Sequence, residues 1–154
     1  INRTPADLLM TLILNHPYST LIQNGEGKNA FHLAVENNSQ DDIFEILVRA
    51  DKDNTAITTR DNSGNTPIHL AIKNSLSSRS LRILLKSCPK AVLMKNSQDH
   101  TPFKLAIKFK SDATVIQTLL DSFQSASTIT KLDRKRYDDR RVHFAIDEKV
   151  TFPI

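Results

Sequence analysis

Five histidines, a lone cysteine and a glycine-flanked lysine are the residues of this 154-residue chain whose types could do chemistry. His16, His32, His69, His100 and His143 have the donors for a metal; Cys88 has the sulfur for nucleophilic attack; Gly25-Glu26-Gly27-Lys28 has the flavour of a phosphate cradle. Spacing argues against the second and third. A nucleophilic cysteine needs a base and an orienting group beside it, and Cys88 sits next to Pro89 at the end of a packing helix, with neither placed near it. A phosphate loop needs a wider glycine spacing and a Ser or Thr after its lysine, whereas Lys28 is followed by Asn29. No cofactor is expected. The single cysteine excludes an internal disulfide and a paired-cysteine zinc site, and it points to a reducing, intracellular setting, the cytoplasm first.

Charge is the next possible source of function. Lys+Arg number 21 against 17 Asp+Glu, a formal +4. Lys104, Lys108 and Lys110 cluster, and Lys131, Arg134, Lys135, Arg136, Arg140 and Arg141 follow downstream. Phosphate contacts would use such a patch. However, Asp133, Asp138 and Asp139 interrupt the run, aromatic residues are 6% and tryptophan is absent, so stacking platforms are scarce. The composition fits a solvated face, or one for an acidic protein partner, better than a nucleic-acid site. At 39% hydrophobic and 25% charged the chain is of the globular class. Its longest apolar run, about Leu8 to Leu14, is too short to span a bilayer.

The elements that must position these residues come from self-similarity. Asn29-Ala30-Phe31-His32-Leu33-Ala34-Val35 matches Thr66-Pro67-Ile68-His69-Leu70-Ala71-Ile72, and both match Thr101-Pro102-Phe103-Lys104-Leu105-Ala106-Ile107. A second block, Ile46-Leu47, Leu84-Leu85 and Leu119-Leu120, follows within one residue of the same phase, and Leu12-Ile13 and Pro17 stand in the register of Leu84-Leu85 and Pro89. Within a unit, Thr66 or Thr101 is an N-cap, the proline after it fits the first helical position, and Ile68, Leu70 and Ile72 supply a stripe. After a break at Asn74 to Ser78, Leu81, Leu84 and Leu85 form a second stripe at helical spacing. Each unit is turn, short helix, turn, longer helix. One such pair cannot bury its apolar face alone, so neighbours must stack.

The pattern Asp61-Asn62-Ser63-Gly64-Asn65-Thr66-Pro67-Ile68-His69-Leu70-Ala71 resembles the ankyrin-repeat family, over roughly residues 4 to 123. The flanking units depart from it: Asn29-Ala30 replaces Thr-Pro, Lys104 replaces the histidine, and Asn38, Ser75 and Lys110 stand near the family's inter-helix glycine. The resemblance implies an all-α solenoid of helix pairs joined by hairpin-like turns. It implies that His32, His69 and His143 bond neighbouring hairpin backbone. Copies one repeat apart lie too far from each other for one zinc, which needs ligands at about 2 Å, so no metal site is expected. The implied function is non-catalytic recognition of another protein on the concave face. Carried over, its surface comprises Glu26, Lys28, Glu36 and Asn37; Asn62, Ser63, Asn65, Lys73 and Asn74; and Gln98, His100, Lys108 and Phe109. Phe109, an aromatic at a usually exposed position, is the natural anchor.

The expected organisation is 1–23, the second helix of a truncated repeat; 24–60, 61–95 and 96–130, three repeats; and 131–154, a basic segment with a degenerate partial repeat or tail. Val142-His143-Phe144-Ala145-Ile146 aligns with Ile68-His69-Leu70-Ala71-Ile72 as the first helix of a decayed fourth repeat, at an offset of 39 from Ala106 to Ala145 that needs a loop insertion. Ile1 and the closing Phe152-Pro153-Ile154 fit a fragment of a longer protein. A rival reading uses the tail. Arg141-Val142-His143-Phe144 and Lys149-Val150-Thr151-Phe152 resemble the docking motif of protein phosphatase 1 regulators, which works by strand addition. Of the two, Lys149, Val150 and Phe152 lie outside the repeat register and form the better candidate. A third reading makes the chain part of an enzyme whose catalytic domain lies outside it.

Overall fold

The computed structural model describes residues 10–147 apart from Leu14, with side chains described as far as Lys131, Pro17 excepted. Among the described residues there is no strand. The α-helices are α1 (Ala30–Glu36), α2 (Asp41–Ala50), α3 (Thr55–Thr58), α4 (Pro67–Lys73), α5 (Ser78–Ser87), α6 (Pro102–Lys108) and α7 (Ala113–Asp147), with 3₁₀ turns at Pro17–Leu21 and Pro89–Leu93. Residues 10–13 and 15 are helical too. The short helices α1, α4 and α6 pack on one another as one layer; the longer α2, α5 and α7 form the second. The core lies between the layers and between successive pairs. Phe31, Ile68, Phe44, Leu81 and Leu84 are fully buried in it. Exposed large apolar side chains include Met10, Leu12 and Leu33 in the first described helices and Ile107, Leu120 and Phe123 in the last pair.

The second apolar block aligns one residue from the sequence pairing. Leu47, Leu84 and Leu119 are the equivalents, each essentially fully buried, and Leu47 and Leu84 accept the closing amides of Asp51 and Cys88. The change of period also has a location. Ala56 and Ile57 are buried as Ala91 and Val92 are, but they lie two residues further from the preceding helix, in the turn after Asp51. There the buried Asp51 carboxylate accepts the N–H groups of Ala56 (3.0 Å) and Ile57 (2.9 Å), capping α3. Cys88-Pro89 leads directly into the 3₁₀ turn instead, without those two residues.

Each short helix ends on a left-handed residue, Asn38, Ser75 or Lys110, with φ of 47°, 53° and 54°. The N–H of each bonds the carbonyl three residues back, and the next N–H bonds the carbonyl five back: Asn38 to Val35 and Ser39 to Ala34, Ser75 to Ile72 and Leu76 to Ala71, Lys110 to Ile107 and Ser111 to Ala106. That paired closure reverses the chain into the longer helix. The glycine-replacing positions therefore keep the glycine conformation. At the start of the second layer, Ser80 donates to Asp41, whose carboxylate also meets Arg79 Nε at 3.0 Å, tying α5 to α2.

Residues 131–147 continue α7 without a break, so the loop expected between the third unit and Val142 does not form. The reason is local. Where α2 and α5 stop at Asp51 and Cys88-Pro89, α7 has Phe123-Gln124 and no proline or asparagine. Its hydroxyls serve the helix instead of opposing it: Thr118, Ser122, Ser125, Thr128 and Thr130 each donate to the carbonyl four residues back. The span corresponds to about 50 Å of helix. Val142 to Ile146 thus belong to α7 rather than to a separate first helix.

Candidate interaction surface

Three hairpins project between the layers' units, each built on a side-chain acceptor. Asn24 Oδ1 takes the N–H groups of Glu26 and Lys28, Asp61 Oδ1 those of Ser63 and Asn65, and Asn96 Oδ1 those of Gln98 and His100, all within 2.8 to 3.0 Å. The backbone closes the same loop each time, as in Asp61 N–H to the Asn65 carbonyl at 2.9 Å. These three acceptors were not singled out by motif reading. The available signal was an Asn or Asp recurring at the repeat interval.

Hairpins are joined to one another as well. Asn62 donates through its backbone N–H to Glu26 and through Nδ2 to the Gly25 carbonyl, both at 3.0 Å. Asn96 Nδ2 donates to Asn65 Oδ1 at 3.0 Å. The buried imidazoles complete the ladder: His32 Nε2 lies 3.0 Å from the Asn65 carbonyl and His69 Nε2 2.9 Å from that of His100. A carbonyl only accepts, so each Nε2 carries the proton. Nδ1 then receives the N-cap N–H, from Asn29 at 3.3 Å and from Thr66 at 3.2 Å. Burial pushes both histidines below the ordinary imidazole range and holds them neutral. Burial likewise pushes the Cys88 thiol up, away from thiolate. Among the described residues no cluster of histidine, cysteine and carboxylate groups could hold a metal ion, and no helix is long and apolar enough to cross a membrane.

The thirteen surface candidates divide by repeat position. Glu26, Asn62, Ser63 and Gln98 at the hairpins, and Glu36, Asn37, Lys73, Asn74, Lys108 and Phe109 at the last turns of the short helices, are exposed. Lys28, Asn65 and His100, which share one repeat position, are half-buried and tied inward. Lys28 Nζ is held between Glu26 and Glu36, 2.7 Å from each, and these two hydrogen-bonded ion pairs keep it charged well above the usual lysine range. Asn65 and His100 give their carbonyls to the histidines. His100 is pushed below its ordinary value, first by burial and then by Lys104 and Lys108. Phe109 is 46% exposed, its covered part lining a shallow cleft with Ile72, Leu76 and Val115. Lys149, Val150 and Phe152 lie outside the described residues, while Arg141 to Phe144 have helical rather than extended backbone.

No curated protein matches the chain significantly. The family model described as ankyrin repeats (3 copies) matches residues 2–96. Beyond that span, residues 96–126 repeat the same hairpin, short helix, left-handed residue and start of a long helix. With most of its length inside the match and the repeat geometry extending past it, the chain belongs to the ankyrin-repeat family.

Proposed function

We propose that this chain binds a protein partner across its concave side, along the hairpin tips and the last turns of α1, α4 and α6. Ankyrin repeats generally mediate protein–protein interaction and are typically non-catalytic. The observation that carries the reading is selective exposure. In α4 every residue from Pro67 to Ile72 is buried and only Lys73 is open, and the equivalents Glu36 and Lys108 are open too. The contact set is Glu26, Glu36 and Asn37, then Asn62, Ser63, Lys73 and Asn74, then Gln98, Lys108 and Phe109. Lys28, Asn65 and His100 act beneath it, holding the hairpins in place so that little order must be gained on binding. Phe109 is the anchor and Lys108 the adjacent charge.

The experiment is capture from cell extract with the intact chain, identification of retained proteins by mass, and affinity measurement with the purified partner. Lys108→Glu and Phe109→Ala should each weaken binding about tenfold, a loss of about 1.4 kcal/mol. Lys86→Glu, on the second layer, should leave binding unchanged. A partner held equally by all three variants would move recognition off this face.

A further inference from the structure

The last helix pair presents an apolar face that its predecessors keep covered. Val35 and Ile72 are 1% and 3% exposed beneath the next pair; Ile107, at the same position, is 61% exposed. Leu120 is 38% exposed where Leu85 is buried, and Phe123 is 49% exposed where Cys88 is buried. Something must cover such a patch or bind it.

A further hairpin-bearing unit could not be joined here as the earlier ones are, because the histidine strut and the glycine that admits the next hairpin are both replaced. Lys104 stands where His32 and His69 reach forward to the next hairpin carbonyl. Asp99 stands, at φ 58°, where Gly27 and Gly64 leave room for it. A Cβ on Gly27 would lie 2.9 Å from Asn62 N, and one on Gly64 2.6 Å from Ser97 N, so the Cβ of Asp99 denies a further hairpin the same approach. The open surface is helical on both sides, α6 and α7, which suits a helix laid between them.

Charge then selects which helix. Lys104 and Lys108 are exposed and make no ion pair among the described residues. Asp99, the acid that feels Lys104, is paired with Lys95 at 2.7 Å. The chain's own continuation, 131–141, carries six Lys and Arg against three Asp, so like charge opposes its fold-back, and a second copy docked by the same face would set Lys104 and Lys108 against their own counterparts. We propose that the end face formed by Ile107, Leu120 and Phe123 docks an acidic amphipathic helix of another protein, with its carboxylates toward Lys104 and Lys108.

The probe is a synthetic helical peptide with leucines at i, i+3, i+4 and i+7 and glutamates elsewhere. It is titrated into the full chain by fluorescence anisotropy beside a lysine-for-glutamate version and a scrambled one. The acidic peptide should bind saturably and the other two at least about tenfold more weakly, with affinity falling as salt rises. Ile107→Asp and Lys104→Glu should each weaken it about tenfold. Lys73→Glu, on the concave side, should not change it. If Ile107→Asp unfolds the chain, the Lys104→Glu result decides alone. Three outcomes overturn the proposal. One is absent or charge-blind binding. Another is a dimer in sedimentation that Ile107→Asp or Lys104→Glu dissolves. The third is binding that appears only after Phe144→Asp and Ile146→Asp, meaning that the chain's own end covers the face.

Discussion

His69 donates from Nε2 to the carbonyl oxygen of His100, 2.9 Å away and 31 residues further along the chain. The bond fastens a short helix to the hairpin of the following unit, and His32 does the same for Asn65. Both imidazoles are therefore struts, and their chemistry is spent on backbone.

That role makes stability depend on pH. His69 and His32 have native pKa values below the ordinary 6.5 because burial disfavours the charged ring. The unfolded chain then binds more protons than the native one as pH drops below about 6.5, so the contribution is whole above that value and is lost as pH falls toward the depressed native values. The thermal midpoint should decline from neutral to mildly acidic pH. His69→Gln, which keeps a neutral donor, should flatten the decline. An identical pH profile for the variant and the original would remove His69 from the account.

Gly64 should not tolerate a side chain. Its φ is +75°, and a Cβ there would press on the next hairpin at Ser97. Gly64→Ala is expected to cost about 1–3 kcal/mol in chemical denaturation, while Asp99→Gly, at the unpartnered end, should cost nothing. Equal effects at the two sites would mean that hairpin contact is not what constrains them.

Lys110 holds a left-handed conformation that costs a residue with a Cβ roughly 1–2 kcal/mol, against roughly 0.5–1 kcal/mol of entropy for glycine. Lys110→Gly should therefore stabilise by roughly 0.5 kcal/mol. Asn38→Gly should gain less, since asparagine accepts this region more readily. A urea series on the two variants measures the difference; a loss of stability in Lys110→Gly would contradict the strain.

Leu84, on α5, is fully buried in the core. Leu84→Ala should lower stability by roughly 2–5 kcal/mol. A change below about 1 kcal/mol would show that the pair relaxes into the space.

The repeat was legible because it recurs: the matches around His32, His69 and Lys104, together with the turn residues between them, determined helix pairs, their order and their stacking from the sequence alone. The left-handed ends at Asn38, Ser75 and Lys110 were marked by register even though none is glycine. What the sequence could not determine was decided by partners distant along the chain. Whether Lys28 is a free surface cation depends on Glu36 coming within 2.7 Å of it, and whether Asn65 faces outward depends on His32. The continuation of α7 was not legible from the Val142–Ile146 alignment, because the hydroxyls of Ser125, Thr128 and Thr130 satisfy carbonyls one turn back and the helix runs on. Periodicity is written along the chain, so comparing the units reveals it. Exposure is a property of the neighbour, and only the stacked structure shows that Ile107 is 61% exposed where Val35 and Ile72 are covered.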